Sequence, residues 1–159
     1  MIDKVLSVGD EVLLQITKEP IYTKGARVST QISLTGRYLV LIPFDQKISV
    51  SKKIKESQEK TRLKTLIESI KPEGFGVIIR TVAENKKVAE LHNDMNQLIE
   101  KWNICFKNIQ KNKMPCKVLS EEDRASAILR DNFNQDFVSI ICDDEQMVND
   151  MRNYLEVIA

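Results

Sequence analysis

The 159-residue chain carries one histidine, three cysteines and five glycines, and each scarcity closes off a class of chemistry. Cys105, Cys116 and Cys142 are odd in number, widely spaced and without a C-x-x-C pair. That argues against a disulfide framework or a zinc site and fits a reducing, cytoplasmic setting, with all three as packing residues. His92 falls inside a helical pattern with no Cys or carboxylate at metal-ligand spacing, so it reads as part of a helix face. The glycines form no phosphate loop, because Gly74-Phe75-Gly76 leads into a strand pattern and not a helix. No apolar run nears the roughly 20 residues of a membrane helix. The opening MIDKVLSVGDE lacks the basic start and long apolar core of a signal peptide. With 42% hydrophobic and 30% charged residues, the composition is that of a globular, soluble chain.

The net charge of +1 hides a segregation. Seven cations (Lys47, Lys52, Lys53, Lys55, Lys60, Arg62 and Lys64) fall within 18 positions, against Glu56 and Glu59. From Ser120 onward there are ten Asp or Glu, against Arg124, Arg130 and Arg152. The first stretch suits a polyanion and the second does not.

Periodicity predicts a mixed α/β (α+β) fold. Val12, Leu14 and Ile16 share one face of a strand that Lys18-Glu19-Pro20 ends. A second strand is expected from Val28 to Leu34, and a third over 37–42 that is apolar on both faces and therefore buried. Leu63, Leu66, Ile67 and Ile70 predict a helix over 59–70, and Phe75–Arg80 a strand. Val88, Leu91, Met95, Leu98, Trp102, Cys105 and Ile109 step by three or four and predict a helix over 86–111. Further strands are expected at Cys116–Leu119 and, buried, at Phe137–Cys142. Ser120 with Asp123 resembles a capping box, and Asp143 or Asp144 caps a last helix carrying Met147, Met151, Tyr154, Leu155 and Ile158. The tail thus reads as alternating strand and helix.

Most candidate sites have a plainer structural reading. Trp102 and Phe106 lie on the apolar stripe of the long helix and read as core. Asp143-Asp144-Glu145 could suggest a divalent metal, but carboxylates in a first helical turn satisfy free N–H groups. Arg80-Thr81 is more promising, since a guanidinium fork and a hydroxyl projecting from one strand tip can both donate to a phosphate, although from the residues alone an ordinary surface arginine is the plainer reading. The run Ser51-Lys52-Lys53-Ile54-Lys55 would support contacts to a phosphate backbone.

The stretch from residue 24 to 44, KGARVSTQISLTGRYLVLIPF, resembles the corresponding segment of the ribonuclease E / ribonuclease G family, bacterial endoribonucleases of RNA processing and decay. The likeness continues in register through about residues 8–159. Val50-Ser51-Lys52-Lys53-Ile54 resembles the family's Ile-Ser-Arg-Arg-Ile element. Residues 72–81, PEGFGVIIRT, resemble its Pro-Glu-Gly-x-Gly-x-Ile-x-Arg-Thr element. This chain has lysines at 52 and 53 where the family commonly has arginines, and Val82-Ala83 where it often has Ala-Gly.

The resemblance implies three regions. Residues 1–31 would be the end of an OB-fold RNA-binding domain, 32–125 a region that senses the 5′ end of RNA, and 126–159 the start of a ribonuclease-H-like part. Arg80 and Thr81 would hold a 5′-monophosphate, with the backbone near Gly36 against it and Val40 touching the terminal base. Lys24 would reach RNA from the OB-fold side, and Lys52 and Lys53 its backbone. The partner implied is single-stranded RNA with a 5′-monophosphate, and the full-length enzyme is expected to be a magnesium-dependent homo-oligomer. No catalytic or metal-binding aspartate is matched here, so the chain reads as a fragment that binds RNA ends and cleaves nothing. Two rivals stand beside this: a non-catalytic structural or protein-interaction module with a solvated basic face, and a self-sufficient metal nuclease using Asp143 and Asp144.

Overall fold

The apolar run after Gly36 becomes strand β4 (Leu39–Pro43), and the rest of the first unit is organised around it. The computed structural model describes residues 4–120, 124–134 and 136–158. It divides into two compact units, Met1–Val118 and Leu119–Ala159. In the first, β4 and its neighbours β3 (Leu34–Thr35), β5 (Ile48–Val50) and β6 (Phe75–Ile79) form a mixed sheet of order β3-β4-β6-β5. β4 pairs antiparallel with β3 and β6, whereas β5 runs parallel to β6. Leu39 lies opposite Ile79 and Leu41 opposite Val77, all four fully buried. The alternate pair, Val40 and Ile78, points to the other face, with Val40 half-buried and Ile78 exposed.

Helices α1 (Ser57–Ile70) and α2 (Val88–Lys111) cover the buried face of the sheet. Their stripes follow the expected spacing: Leu63 and Ile67 from α1, and Leu91, Met95 and Leu98 from α2, are at most 1% exposed. Burying each such side chain stabilises the fold by about 1.5–3 kcal/mol. At its start, α2 is capped by Glu90, which accepts the Lys87 N–H at 3.0 Å. Further along, Trp102 takes edge contacts from Phe44 and Phe75, with ring centroids 5.6 and 6.3 Å away. Phe106, expected in the core, is instead 50% exposed, because the helix turns it off the stripe that Trp102 and Cys105 follow.

A second, two-stranded sheet pairs β1 (Gln15–Lys18) with β2 (Arg27–Ser29). The strand expected from Val28 to Leu34 is therefore broken, β2 ending at Ser29 and β3 starting at Leu34. Side chains compete with the ladder there. Ser29 Oγ accepts the Gln31 N–H at 3.1 Å, and the Gln15 amide holds both the N–H and the carbonyl of Ser33, at 2.8 and 2.9 Å. The short strand β5 went unpredicted because it lies between lysines. Cys116–Leu119 is not a strand: the Val118 carbonyl accepts from the Asn108 side-chain amide at 2.8 Å.

The second unit contains α3 (Arg124–Asn132) and α4 (Glu145–Ile158), which pack on each other, with Leu129 and Met151 buried. Asp144 caps α4, its Oδ1 accepting the Met147 N–H at 2.8 Å. The buried strand expected at Phe137–Cys142 is not found. No ladder forms on it among the described residues, and Val138 and Ile141 are 97% and 92% exposed. A strand is defined by its neighbour, and apolar composition alone does not supply one. Alternating strand and helix therefore gives way to a helix pair. Asp123, of the expected capping box, lies outside the described residues. No helix among those described is long and apolar enough to cross a membrane.

Candidate nucleic-acid interface

Between β3 and β4 the chain reverses over Gly36-Arg37-Tyr38-Leu39. The Gly36 N–H donates to the Leu39 carbonyl at 2.8 Å. Each half of the bond that ordinarily closes such a turn goes to a side chain instead. The Leu39 N–H donates to Asp94 Oδ2 at 2.9 Å, and the Gly36 carbonyl accepts from Arg80 Nη1 at 2.7 Å. Asp94 also accepts the N–H groups of Tyr38 and Arg37, at 2.9 and 3.0 Å, and Arg80 Nη1 also donates to the Arg37 carbonyl at 3.2 Å. The turn is held between an anion on its N–H side and a cation on its carbonyl side.

Asp94 reaches the turn from the buried stripe of α2 and is 6% exposed. Burial pushes its carboxyl above the ordinary range, while the amides of Tyr38, Arg37 and Leu39, and the charge of Lys101, pull the other way. Glycine at 36 is what lets the carboxylate approach so closely, since a Cβ there would lie 2.6 Å from Asp94 Oδ1 and force one of them to shift.

Arg80 follows the last residue of β6, and its own N–H donates to the Tyr38 carbonyl at 2.8 Å, extending the β4–β6 pairing to the turn. Because β5 runs parallel to β6, the two strands end together. The Ser51 N–H donates to the Ile79 carbonyl at 2.9 Å, and the hydroxyls of Ser51 and Thr81 are 2.8 Å apart. Lys52 and Lys53 form the exposed turn that follows, the Lys53 N–H donating to Ser51 Oγ at 3.3 Å.

Thr81 opens a single 3₁₀ turn, Thr81–Ala83, and α1 fastens the segment after it. The buried Glu59 accepts Arg62 Nε and Nη2, each at 2.6 Å, and the Asn85 N–H at 2.9 Å. Arg62 Nη2 also donates to the Lys86 carbonyl at 3.1 Å. The Arg62 hydrogen bonds, assisted by the Asn85 amide, hold Glu59 below the ordinary glutamate range in spite of its burial.

One end of the sheet thus presents a guanidinium, a bonded pair of hydroxyls with one proton to spare, and a lysine turn, groups suited to a tetrahedral oxyanion. Val40 and Ile78 lie one position further along their strands on the outer face. Of the residues marked in the sequence, Gly36, Arg80, Thr81, Lys52 and Lys53 gather at this end, with Val40 beside them. Lys24 belongs to a different element, the loop joining β1 to β2, where its N–H and carbonyl pair with those of Ile21 at 3.0 and 3.1 Å. Ile78 and Asp94 were missed by sequence reasoning, and Ser51 was marked only within the basic run, not as the partner of Thr81. For Asp94 a signal existed: it stands three residues after Leu91 and next to Met95, and a carboxylate at a buried helix position demands a partner.

The remaining candidates resolve into structural roles. Asp144 is a helix cap, Trp102 is buried, and His92 is exposed with its Nδ1 3.3 Å from the Asn96 amide. Among the described residues no group of three or more His, Cys, Asp or Glu could hold a metal ion.

Residues 33–159 match the model of the Ribonuclease E/G family. Ribonuclease E of Nostoc sp. is 33% identical over 155 residues, covering 98% of this chain and 23% of the relative. The Ribonuclease E/G-like protein of Pyropia yezoensis is 32% identical over 97% of this chain and 30% of its own length. Ribonuclease G of Haemophilus influenzae is 31% identical over 98% of this chain and 32% of its own length. The chain therefore spans between a fifth and a third of these relatives.

Proposed function

This chain belongs to the ribonuclease E/G family, and from that premise we propose that it is the RNA-end-reading part of a single-strand-specific endoribonuclease. The supporting observation is that Arg80, bonded to the Gly36 turn, and Thr81, bonded to Ser51, follow one another at the same end of the sheet. A 5′-monophosphate bound there would accept from the Arg80 guanidinium and the Thr81 hydroxyl, with Val40 against the terminal base. Lys52 and Lys53 would follow the next phosphates, and Lys24 would meet the strand from the hairpin. Holding an RNA by its end raises the effective concentration of its downstream single-stranded region at a cleavage centre.

In this reading, residues 1–31 are the end of an OB-fold domain, 32–125 the end sensor, and 126–159 the entry to a ribonuclease-H-like part. The whole enzyme would be a cytoplasmic homo-oligomer that hydrolyses RNA with magnesium. Among the described residues no cluster of His, Cys, Asp or Glu fits that ion.

The deciding experiment is fluorescence-anisotropy binding of a short single-stranded RNA bearing a 5′-monophosphate, against its 5′-hydroxyl twin, for wild type and Arg80→Ala. A preference for the monophosphate that Arg80→Ala abolishes is expected. Equal binding of both RNAs, unchanged by the substitution, would overturn the reading and favour a protein-interaction module with a solvated basic face.

A further inference from the structure

We infer that Asp94 is the positioning residue of this pocket: by taking the amides of Arg37, Tyr38 and Leu39 it fixes the turn whose Gly36 and Arg37 carbonyls aim the Arg80 guanidinium. The functional consequence rests on the RNA-end reading, and the structural one does not.

Three observations carry it. A carboxylate this buried is costly unless its oxygens are bonded, and both oxygens of Asp94 are spent on this one turn, Oδ1 on Arg37 and Oδ2 on Tyr38 and Leu39. The fit is close enough that a Cβ at 36 would displace the carboxylate, meeting its carbon at 2.9 Å and both oxygens at 2.6 and 2.7 Å. Moreover, Asp94 and Arg80 take complementary halves of the same backbone bond, the Leu39 N–H and the Gly36 carbonyl. If the N–H side slackens, the turn can swing, and the carbonyls that orient Arg80 swing with it.

A row of successive amides is also the arrangement that binds phosphate in many proteins. Here the chain's own carboxylate occupies it. An RNA phosphate at this end of the sheet is therefore left to the side chains of Arg80 and Thr81, with the Ser51 hydroxyl bonded to that of Thr81, and its capture depends on how firmly Arg80 is held.

Asp94→Asn tests this while keeping the shape. One carboxamide cannot accept on both atoms, so its NH₂ group would confront a backbone donor. Hydrogen exchange at residues 37–39 and ¹⁵Nε relaxation of Arg80 report on the turn and the guanidinium. The ratio of affinities for 5′-monophosphate and 5′-hydroxyl RNA reports on function. The expected result is exchange faster by about tenfold, a guanidinium released from restricted motion, and a ratio reduced to that of Arg80→Ala. The double variant should lose nothing further, because Asp94 acts through Arg80. Gly36→Ala, which presses a methyl onto the same carboxylate, should move all three readouts the same way and keeps the test open if Asp94→Asn folds poorly. An Arg80 as ordered as in wild type with an unchanged ratio, or additive losses in the double variant, would overturn the inference. Should wild type show no monophosphate preference, the end-sensor reading falls alone, and the Arg80 relaxation decides whether Asp94 positions it.

Discussion

The hydroxyls of Ser51 and Thr81 lie 2.8 Å apart although 30 residues separate them in the chain. The contact follows from the parallel pairing of β5 with β6, which sends both strand tips to the same end of the sheet. One hydroxyl donates to the other, so their orientations are coupled, and with Ser51 as donor the Thr81 proton is left to face a phosphate.

Ser51→Ala should accordingly weaken binding of 5′-monophosphate RNA by about three- to tenfold, the worth of one hydrogen bond of roughly 0.5–1.5 kcal/mol. Binding of the 5′-hydroxyl twin should stay unchanged. Anisotropy titrations of both RNAs measure the effect, and an equal loss for both would mean that Ser51 acts on the fold instead.

The two glycines of the stretch from residue 24 to 44 should separate cleanly on substitution. Gly36→Ala places a Cβ 2.6 Å from Asp94 Oδ1 and is expected to cost about 1–3 kcal/mol. At Gly25 an added Cβ meets nothing within 4 Å, so Gly25→Ala should stay within about 0.5 kcal/mol of wild type. Urea midpoints of the two variants provide the comparison.

Acid should loosen the joint between α1 and the segment after Thr81. The Glu59 carboxyl is depressed in the fold, chiefly by Arg62, so as pH falls the unfolded chain takes up its proton first. Its contribution is whole above the usual glutamate value of 4.5 and is lost as pH drops through the lower folded value. Glu90, depressed by the Lys87 amide, has the same sign, whereas Asp94, raised by burial, has the opposite one. Urea midpoints between pH 7 and pH 3 should decline for wild type and decline less for Glu59→Gln. Parallel curves would remove Glu59 from this role.

Lys52 and Lys53 are exposed and next to the pocket, so they should act on any RNA and not on its end. Lys52→Ala and Lys53→Ala are each expected to lower affinity for both RNAs alike. Each should also flatten the plot of log affinity against log salt by about 0.7, the value for one contact to a single strand. A slope unchanged in both variants would return the lysines to solvated surface.

What the sequence made legible was whatever depends on local pattern. Both long helices and the strands β4 and β6 stand close to where periodicity put them, because Leu39, Leu41, Val77 and Ile79 repeat at two and the α1 and α2 stripes at three or four. Strand β5 was hidden by the lysines around it, and its reality comes from pairing with β6. Phe137–Cys142 erred the other way, having strand composition without a ladder among the described residues. The pocket divided along the same line. Arg80 and Thr81 stood out by residue type, whereas Ser51 and Asp94 matter through partners 30 and more than 50 positions away, and spacing in a sequence does not encode those.

The Asp94 bonds to residues 37–39 span 55 to 57 positions, and that reach bears on the order of events during synthesis. A nascent chain acquires Gly36, Ser51, Arg80 and Thr81 before it owns the carboxylate that fixes the turn. Loop closure over such a span is costly until the intervening sheet and α1 are in place. In the end-sensor reading, competence to bind an RNA end should therefore switch on late, once α2 has emerged and docked. Chains halted on the ribosome just before Asp94 clears the exit tunnel and just after offer the direct comparison. Hydrogen exchange at residues 37–39 should fall only in the longer ones, and early protection in the shorter set would show that the turn assembles without its anion.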